Sequence, residues 1–137
     1  MDVTGKRSWV LTEVSLVIKG RDLRPEEITS FLAVEPTGVR HPGLAEWDRP
    51  GEIDGQWRIS CDERTSRDFH AQLDRVLSVA ERKRTELRGL AERGYEVTVS
   101  LFGFSGHGST LALRSEEIQR IALLGFPLRV VASMNER

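Results

Sequence analysis

The chain of 137 residues has the length of one domain, and 39% hydrophobic with 30% charged residues is the balance of a soluble globular protein. A formal net charge of -1 argues against a general nucleic-acid binder, which would carry a strong basic excess. The single cysteine, Cys61, excludes an internal disulfide, and no stretch approaches the roughly 20 apolar residues of a membrane span. We therefore expect neither a membrane nor a nucleic acid as partner.

Two features favour a cytoplasmic bacterial protein. The residues from Met1 to Arg7 lack the apolar core of a signal peptide. The basic residues comprise 17 Arg and 3 Lys, and because arginine codons are GC-rich, this bias indicates a GC-rich bacterial genome. We expect one cytoplasmic domain over residues 1–137.

Alternating apolar residues predict the first strand, from Trp9 to Gly20. Its predicted inner face comprises Val10, Val14, Leu16 and Ile18. Pro25 suits the first position of a helix, and the two glutamates that follow it suit the positive end of the helix dipole. The pattern therefore predicts a helix from Pro25 to Leu32.

The segment at about 35–55 is rich in Pro and Gly, which predicts a long loop with one short edge strand near Val39. Within this loop, Trp47 stands between Glu46 and Asp48. An aromatic residue flanked by polar ones is typical of protein interfaces. These three residues are a candidate interaction site for a basic partner, and the alternative is that Trp47 folds back over the sheet edge.

A strand and a long helix are predicted next. The strand runs from Gln56 to Cys61, with Trp57, Ile59 and Cys61 on the inner face. One helix is predicted over residues 66–93, capped by Thr65 with Asp68 and ended by Gly94. Its apolar stripe comprises Phe69, Leu73, Val76, Leu77, Ala80, Leu87, Leu90 and Ala91.

The C-terminal third predicts a hairpin, a helix and a last strand. The hairpin joins a strand from Tyr95 to Gly103 to a return strand at Leu111 and Leu113. The helix runs from Glu116 to Leu124, and the last strand contains Leu128, Val130 and Val131; Ile118, Ile121 and Ala122 of the helix are predicted to face inward. The order β-α-(loop)-β-α-β-β-α-β predicts an α+β fold, with an antiparallel or mixed sheet and helices packed mainly on one face.

These assignments predict one common core. Its members are Leu16, Ile18, Trp57, Leu73, Leu77, Val97, Val99 and Ile118.

The glycine-rich turn at 103–110 is a candidate ligand site. It carries Phe104, Ser105 and His107. The backbone amides of the turn could bind an anion, or Ser105 and His107 could act as a nucleophile and a base. The alternative is a plain connection between strands. Phosphate loops lead into a helix and carry a lysine, whereas this turn is predicted to lead into a strand and has no lysine. A catalytic pair would also need a third group to orient the imidazole, and none is identifiable in the sequence. We favour the plain connection and expect no catalytic residue there.

The histidines and the cysteine do not predict a metal site. A zinc site usually needs closely spaced pairs of ligands, and His41, His70, His107 and Cys61 show no such spacing. His70 is predicted to be an exposed or half-buried helix residue. We expect neither a metal nor another cofactor.

Several stretches taken together resemble a bacterial family known as domain of unknown function 4279. They include Leu23 to Ile28, Gly55 to Ser60, Leu87 to Leu90, Gly94 to Ser100, and the closing segment from Leu111 to Leu128. The resemblance covers nearly the whole chain but rests mostly on caps, turns and core positions. It implies a fold and no chemistry, because no activity or catalytic residue is carried over with it.

Two classes of function remain open from the sequence. The first is a non-enzymatic protein-interaction module, of which an immunity protein is one type. The second is a small-ligand binder or hydrolytic enzyme that uses a cleft near the turn at 103–110. The last strand could lie at a sheet edge with unpaired backbone groups, so a symmetric homodimer is a further expectation.

Overall fold

The computed structural model describes residues 8–44, 52–106 and 108–134. Their elements in chain order are β1 (Val10–Gly20), α1 (Pro25–Leu32), β2 (Gly38–Arg40), β3 (Gly43–Leu44), β4 (Glu52–Ile53), β5 (Gly55–Cys61), α2 (Phe69–Arg82), α3 (Arg84–Glu92), β6 (Glu96–Phe104), α4 (Ser115–Leu124) and β7 (Leu128–Ser133). No helix in these ranges is long and apolar enough to cross a membrane.

A five-stranded sheet in the order β2-β5-β1-β6-β7 forms the centre of the fold. The β7 strand runs parallel to β6, whereas the other neighbours are antiparallel. The sheet is therefore mixed, which confirms the predicted α+β class. Two parallel neighbours need a crossover connection, and α4 provides it. The short strands β3 and β4 pair separately.

The core lies between one face of the sheet and the helices. In the register of the strands, Leu16 of β1 stands between Ile59 of β5 and Val99 of β6. All four helices contribute buried side chains to the same apolar cluster. The expected core residues of β1, β5, α2 and β6 are confirmed as buried: Leu16, Ile18, Trp57, Leu73, Leu77, Val97 and Val99.

The first strand contains a bulge that changes the face of its first residue. Val14 pairs with Leu101, but the register shifts between Val10 and Glu13, and Val10 pairs with Phe104. One extra residue in a strand reverses the alternation of side chains beyond it. Val10 is therefore 42% exposed and does not lie on the inner face, so that prediction is wrong.

The predicted long helix is two helices, α2 and α3. Lys83, between them, has the non-helical angles φ -110 and ψ 21. The break lets α2 contact β1 and β5 while α3 contacts β6, and Ala91 ends up exposed. The cap is also one turn later than expected, because Asp68 accepts a hydrogen bond from the His70 backbone N–H at 3.2 Å.

The predicted return strand at Leu111 and Leu113 does not form. The place beside β6 opposite β1 is taken by β7, which leaves no edge of β6 free for a hairpin partner. Residues 111–114 are irregular, and Leu111 and Leu113 pack against the core as half-buried side chains. Only Thr110 forms an isolated bridge, with Ser8.

The helix α4 is rotated from the orientation that the sequence pattern suggested. Its buried residues are Glu117, Ile121 and Leu124. Ile118 is 52% exposed and Ala122 is exposed, so the prediction that these two face inward is wrong. A glutamate takes the inward position because its carboxylate finds two hydrogen-bond partners there, as described below.

Candidate functional site

The predicted acidic site, Glu46, Trp47 and Asp48, lies outside the described residues. On either side of it, β3 and β4 pair with each other, with Gly43 opposite Ile53. The predicted edge strand near Val39 is confirmed, because β2 pairs with β5 at the border of the sheet.

The predicted ligand turn follows the end of β6 and lies beside the end of the parallel strand β7. Phe104 is the last residue of β6, and its ring makes an edge contact with Phe102 at 5.5 Å between centroids. The Ser105 backbone N–H and hydroxyl both donate to the Ser133 carbonyl oxygen, at 2.8 and 3.3 Å, and the hydroxyl also lies 3.4 Å from Met134 Sδ. His107 lies outside the described residues. The hydroxyl of Ser105 therefore holds the end of β7 against β6.

The strand β7 forms one border of the sheet and has a free edge among the described strands. The carbonyl oxygens of Pro127 and Ser133 accept hydrogen bonds from Val99 and Ser105, so the odd-numbered residues of β7 point their backbone groups toward β6. Backbone groups alternate along a strand. The N–H and C=O groups of Leu128 and Val130 therefore point away from the sheet.

The side chains of the same two residues are apolar and exposed. Leu128 pairs with Val99, and Val130 pairs with Leu101, so both lie on the face that carries the core. Val99 and Leu101 are fully buried, whereas Leu128 is 37% and Val130 is 52% exposed. The layer of helices therefore stops before β7 and leaves its core-facing side chains uncovered. We call Leu128, Val130 and the free backbone of β7 the β7 edge surface.

The helix α4 is held against α2 by a charged cluster on one of its flanks. Arg120 donates to both carboxylate oxygens of Glu81, at 2.8 and 2.9 Å, and to Asp74 at 2.9 Å. The hydrogen bond with Glu81 is the main reason that the pKa of Arg120 is raised above its ordinary value. At 100° per residue, Ile118 lies about 200° around the helix from Arg120. Ile118 is therefore an exposed apolar side chain on the flank directed away from α2.

A separate cleft of about 210 Å³ lies where the start of β1 meets the first turn of α2. The bulge in β1 turns Trp9 to this side, where its ring packs over Gly103: a Cβ atom at Gly103 would lie 3.0 Å from Trp9 Cε3. The segment after the turn forms another wall, since the Trp9 N–H donates to the Thr110 carbonyl oxygen at 3.0 Å. Phe69 and Leu111 add further apolar surface. We call this the His70 cleft, after the imidazole that lines it.

His70 is paired with a buried carboxylate. Its Nδ1 atom lies 2.7 Å from Oε2 of Glu117, which is only 5% exposed. The other carboxylate oxygen of Glu117 accepts the Arg114 backbone N–H at 2.7 Å, in the capping box of α4. Both oxygens are thus engaged, and the imidazole cannot rotate without losing its partner.

A buried amide supports the wall of the cleft. Gln72 is fully buried, accepts a hydrogen bond from the Thr12 hydroxyl at 2.9 Å and donates to the Ser66 carbonyl oxygen at 2.6 Å. These bonds join β1, α2 and the segment that precedes α2.

Sequence reasoning missed the His70 and Glu117 pair. His70 was expected to be exposed or half-buried, and it is half-buried. The available signal was in α4, where positions 117, 121 and 124 have helical spacing and the first is a glutamate. A carboxylate on an otherwise apolar stripe indicates a buried partner, because an unpaired buried charge is very costly.

Residues 10–135 match the model of the family described as Domain of unknown function (DUF4279), and the chain belongs to this family. No curated protein and no solved structure gives a significant match.

Proposed function

We propose that this member of the DUF4279 family is a non-enzymatic protein-interaction module that binds an extended segment of a partner protein along the β7 edge surface. The observation that carries the proposal is the 37% and 52% exposure of Leu128 and Val130 at positions in register with fully buried residues of β6. Apolar side chains in core register that no helix covers favour a surface that a partner covers.

The backbone of β7 supports the same proposal. The free N–H and C=O groups of a border strand are a template for adding another strand, and exposed edges of this kind otherwise promote aggregation. Peptide recognition by strand addition draws affinity from these main-chain groups and specificity from alternate side chains. The proposed mode thus uses both features of the β7 edge surface.

The side chains of β7 indicate the chemistry of the partner. Leu128 and Val130 would pack against apolar residues at every second position of the added strand. Arg129 is exposed and lies on the opposite face, where an acidic residue of the partner would meet it. The partner segment therefore alternates apolar residues with polar ones that include a carboxylate. An immunity protein that covers a toxin is one role for such a module.

The substitution Val130→Pro tests the strand-addition mode. It removes an N–H that points away from the sheet, so the bonds between β7 and β6 remain, and proline is tolerated in border strands at such positions. A partner is first captured from lysate with the wild-type protein, identified by mass spectrometry and purified. Calorimetry should then give at least tenfold weaker binding for Val130→Pro and Val130→Asp.

A matched control is available at the other border of the sheet. Val39 of β2 is 43% exposed, close to the 52% of Val130, so Val39→Asp makes a comparable change on the opposite edge. This variant should bind the partner within about twofold of wild type. Equal binding by wild type and both Val130 variants would refute the proposal. A wild-type dimer in sedimentation that Val130→Pro makes monomeric would also refute it, because a second copy would then be the occupant.

The acidic loop is a second proposed contact, for a basic partner. It rests on the sequence pattern of Glu46, Trp47 and Asp48 alone. Calorimetry of Trp47→Ala with the same purified partner tests it, and unchanged affinity would remove the loop from the interface.

A further inference from the structure

The hydrogen bonds around Glu117 determine which nitrogen of His70 carries the proton in the neutral ring. A carboxylate only accepts hydrogen bonds, so the proton between Oε2 and the imidazole belongs to Nδ1. The Nε2 atom then carries a lone pair. The pairing with Glu117 therefore makes His70 a hydrogen-bond acceptor at Nε2.

This acceptor is available to a ligand. Within residues 8–44, 52–106 and 108–134, no protein group forms a hydrogen bond with Nε2 of His70, and the side chain is 27% exposed in the wall of the cleft. Carboxylate and imidazole pairs of this kind orient a histidine for a bound group. The geometry thus presents one fixed acceptor to the interior of the His70 cleft.

The rest of the cleft is amphipathic. Trp9, Phe69 and Leu111 supply apolar surface, while Thr110, Arg67 and Asp68 supply polar and charged groups. The volume of about 210 Å³ lies below the roughly 300 Å³ at which drug-sized sites begin. The cleft therefore suits a ligand of about one ring.

We propose that the His70 cleft binds a small amphipathic molecule whose hydroxyl or N–H group donates a hydrogen bond to Nε2 of His70, with its apolar ring against Trp9 and Phe69. Glu117 acts in this site as a positioning residue, because it holds the imidazole in the accepting tautomer without touching the ligand. The residues that line the cleft are different from those of the β7 edge surface, so this proposal does not depend on the interaction proposed there.

The substitution Glu117→Gln reverses the polarity of the site. Glutamine has one oxygen and one NH2 group, and the Arg114 N–H requires the oxygen. The NH2 group then faces Nδ1 of His70, which must accept, and the proton moves to Nε2. The variant is predicted to present a donor to the cleft where the wild type presents an acceptor.

Imidazole 15N chemical shifts test this first step without any ligand. The shifts are recorded at a pH at which the imidazole of His70 is neutral, and a pH series of the same spectra identifies that range. The wild type should show the Nδ1–H tautomer of His70, and Glu117→Gln should show the Nε2–H tautomer. A wild-type ring with its proton on Nε2 would overturn the proposal.

Phenol and anisole form a matched pair of probes for the ligand. Both carry one aromatic ring and one oxygen, but only phenol can donate a hydrogen bond. In amide NMR titrations that follow Thr12 and Thr110, the wild type should bind phenol about tenfold more tightly than anisole, the ratio expected for one additional hydrogen bond. In Glu117→Gln, the oxygen of phenol and the oxygen of anisole can both accept a hydrogen bond from Nε2–H of His70. The affinities for the two probes should therefore agree within about twofold.

Two further variants separate the possible explanations. His70→Phe should remove the preference for phenol, and Val130→Pro should keep the wild-type preference because it leaves the cleft unchanged. Equal binding of phenol and anisole by the wild type would overturn the proposal, as would the absence of any shift at the residues of the cleft. If His70→Phe fails to fold, the Glu117→Gln ratio and the wild-type tautomer still decide the question.

Discussion

Removal of the buried hydrogen bond between Thr12 and Gln72 should lower the free energy of unfolding by more than the net contribution of an ordinary hydrogen bond. The Thr12 hydroxyl donates to Oε1 of Gln72 at 2.9 Å, and the two residues are 3% and 0% exposed. The substitution Thr12→Val keeps the shape of the side chain but removes the donor. A buried acceptor is then left without a partner, which costs about 1 to 3 kcal/mol.

A double-mutant cycle with Gln72→Met isolates this term. The Gln72→Met variant leaves two groups without a partner, the Thr12 hydroxyl and the Ser66 carbonyl oxygen, which is bound at 2.6 Å in the wild type. In the double variant only the Ser66 carbonyl oxygen lacks its partner. The double variant should therefore be more stable than the sum of the single effects predicts, with a coupling free energy of about 1 to 3 kcal/mol.

Urea unfolding followed by circular dichroism measures the cycle, provided the denaturant slope stays constant among the four proteins. Thr12→Ser, which keeps the donor, is the control for the hydroxyl. Additive effects within about 0.3 kcal/mol would show that the two side chains act independently, which would refute the reasoning.

Three further predictions concern other parts of the fold. Gly55→Ala should destabilise the protein by about 1 to 3 kcal/mol, because a Cβ atom there would overlap the carbonyl oxygen of Leu23. The control is Gly89→Ala in α3, where a Cβ atom meets nothing within 4 Å, and it should be neutral or stabilising in the same unfolding assay. Arg120→Met should cost at most about 1 kcal/mol in low salt and less in 1 M salt, because the carboxylates it binds are partly exposed. The hydrogen bond from the Arg64 side chain lowers the pKa of Asp62 in the folded protein below 3.8, so its contribution is present above that value and is lost as the pH falls through the folded pKa. The difference in melting temperature between wild type and Arg64→Ala should therefore shrink as the solution becomes acidic, and a difference that does not change with pH would contradict this assignment.

Elements whose structure depends on local pattern were predictable. The alternation that predicts a strand from Tyr95 to Gly103 locates β6 to within one residue at each end, and the proline at the start of α1 correctly indicates Pro25–Leu32. Each has a buried face that repeats with the period of its secondary structure, and this period is visible in the sequence without knowledge of the partners.

The prediction of a return strand was wrong because the partner of a strand is determined by which of several distant segments pairs with it. Leu111 and Leu113 have the spacing of a strand, but β7 is the segment that pairs with the free edge of β6. A local pattern shows only that a segment is able to form a strand. Whether it does so depends on which other segment takes the neighbouring position.

The candidate sites were less predictable, because each depends on how elements that are distant in sequence pack together, although the position of the last strand at a sheet edge was expected. His70 and Glu117 are 47 residues apart, and they meet only because α4 packs beside α2. The β7 edge surface likewise follows from the position of β7 at the border, where the helices do not reach. The sequence pattern alone predicts that Val130 is a buried strand residue. Its exposure depends on how far the layer of helices extends over the sheet.

Several departures from the regular pattern lie close together in the structure. The β1 bulge, which turns Trp9, and the missing side chain of Gly103 both shape the His70 cleft. Gln72 and Glu117 place polar groups on core-facing helix positions beside it. Each of these features weakens a strand or desolvates a polar group, and the hydrogen bonds of Gln72 and Glu117 offset part of the cost of desolvation. Local rules are most often broken where a protein holds a functional site. Their concentration around one cleft therefore favours a ligand there, on different grounds from those that favour a partner at β7.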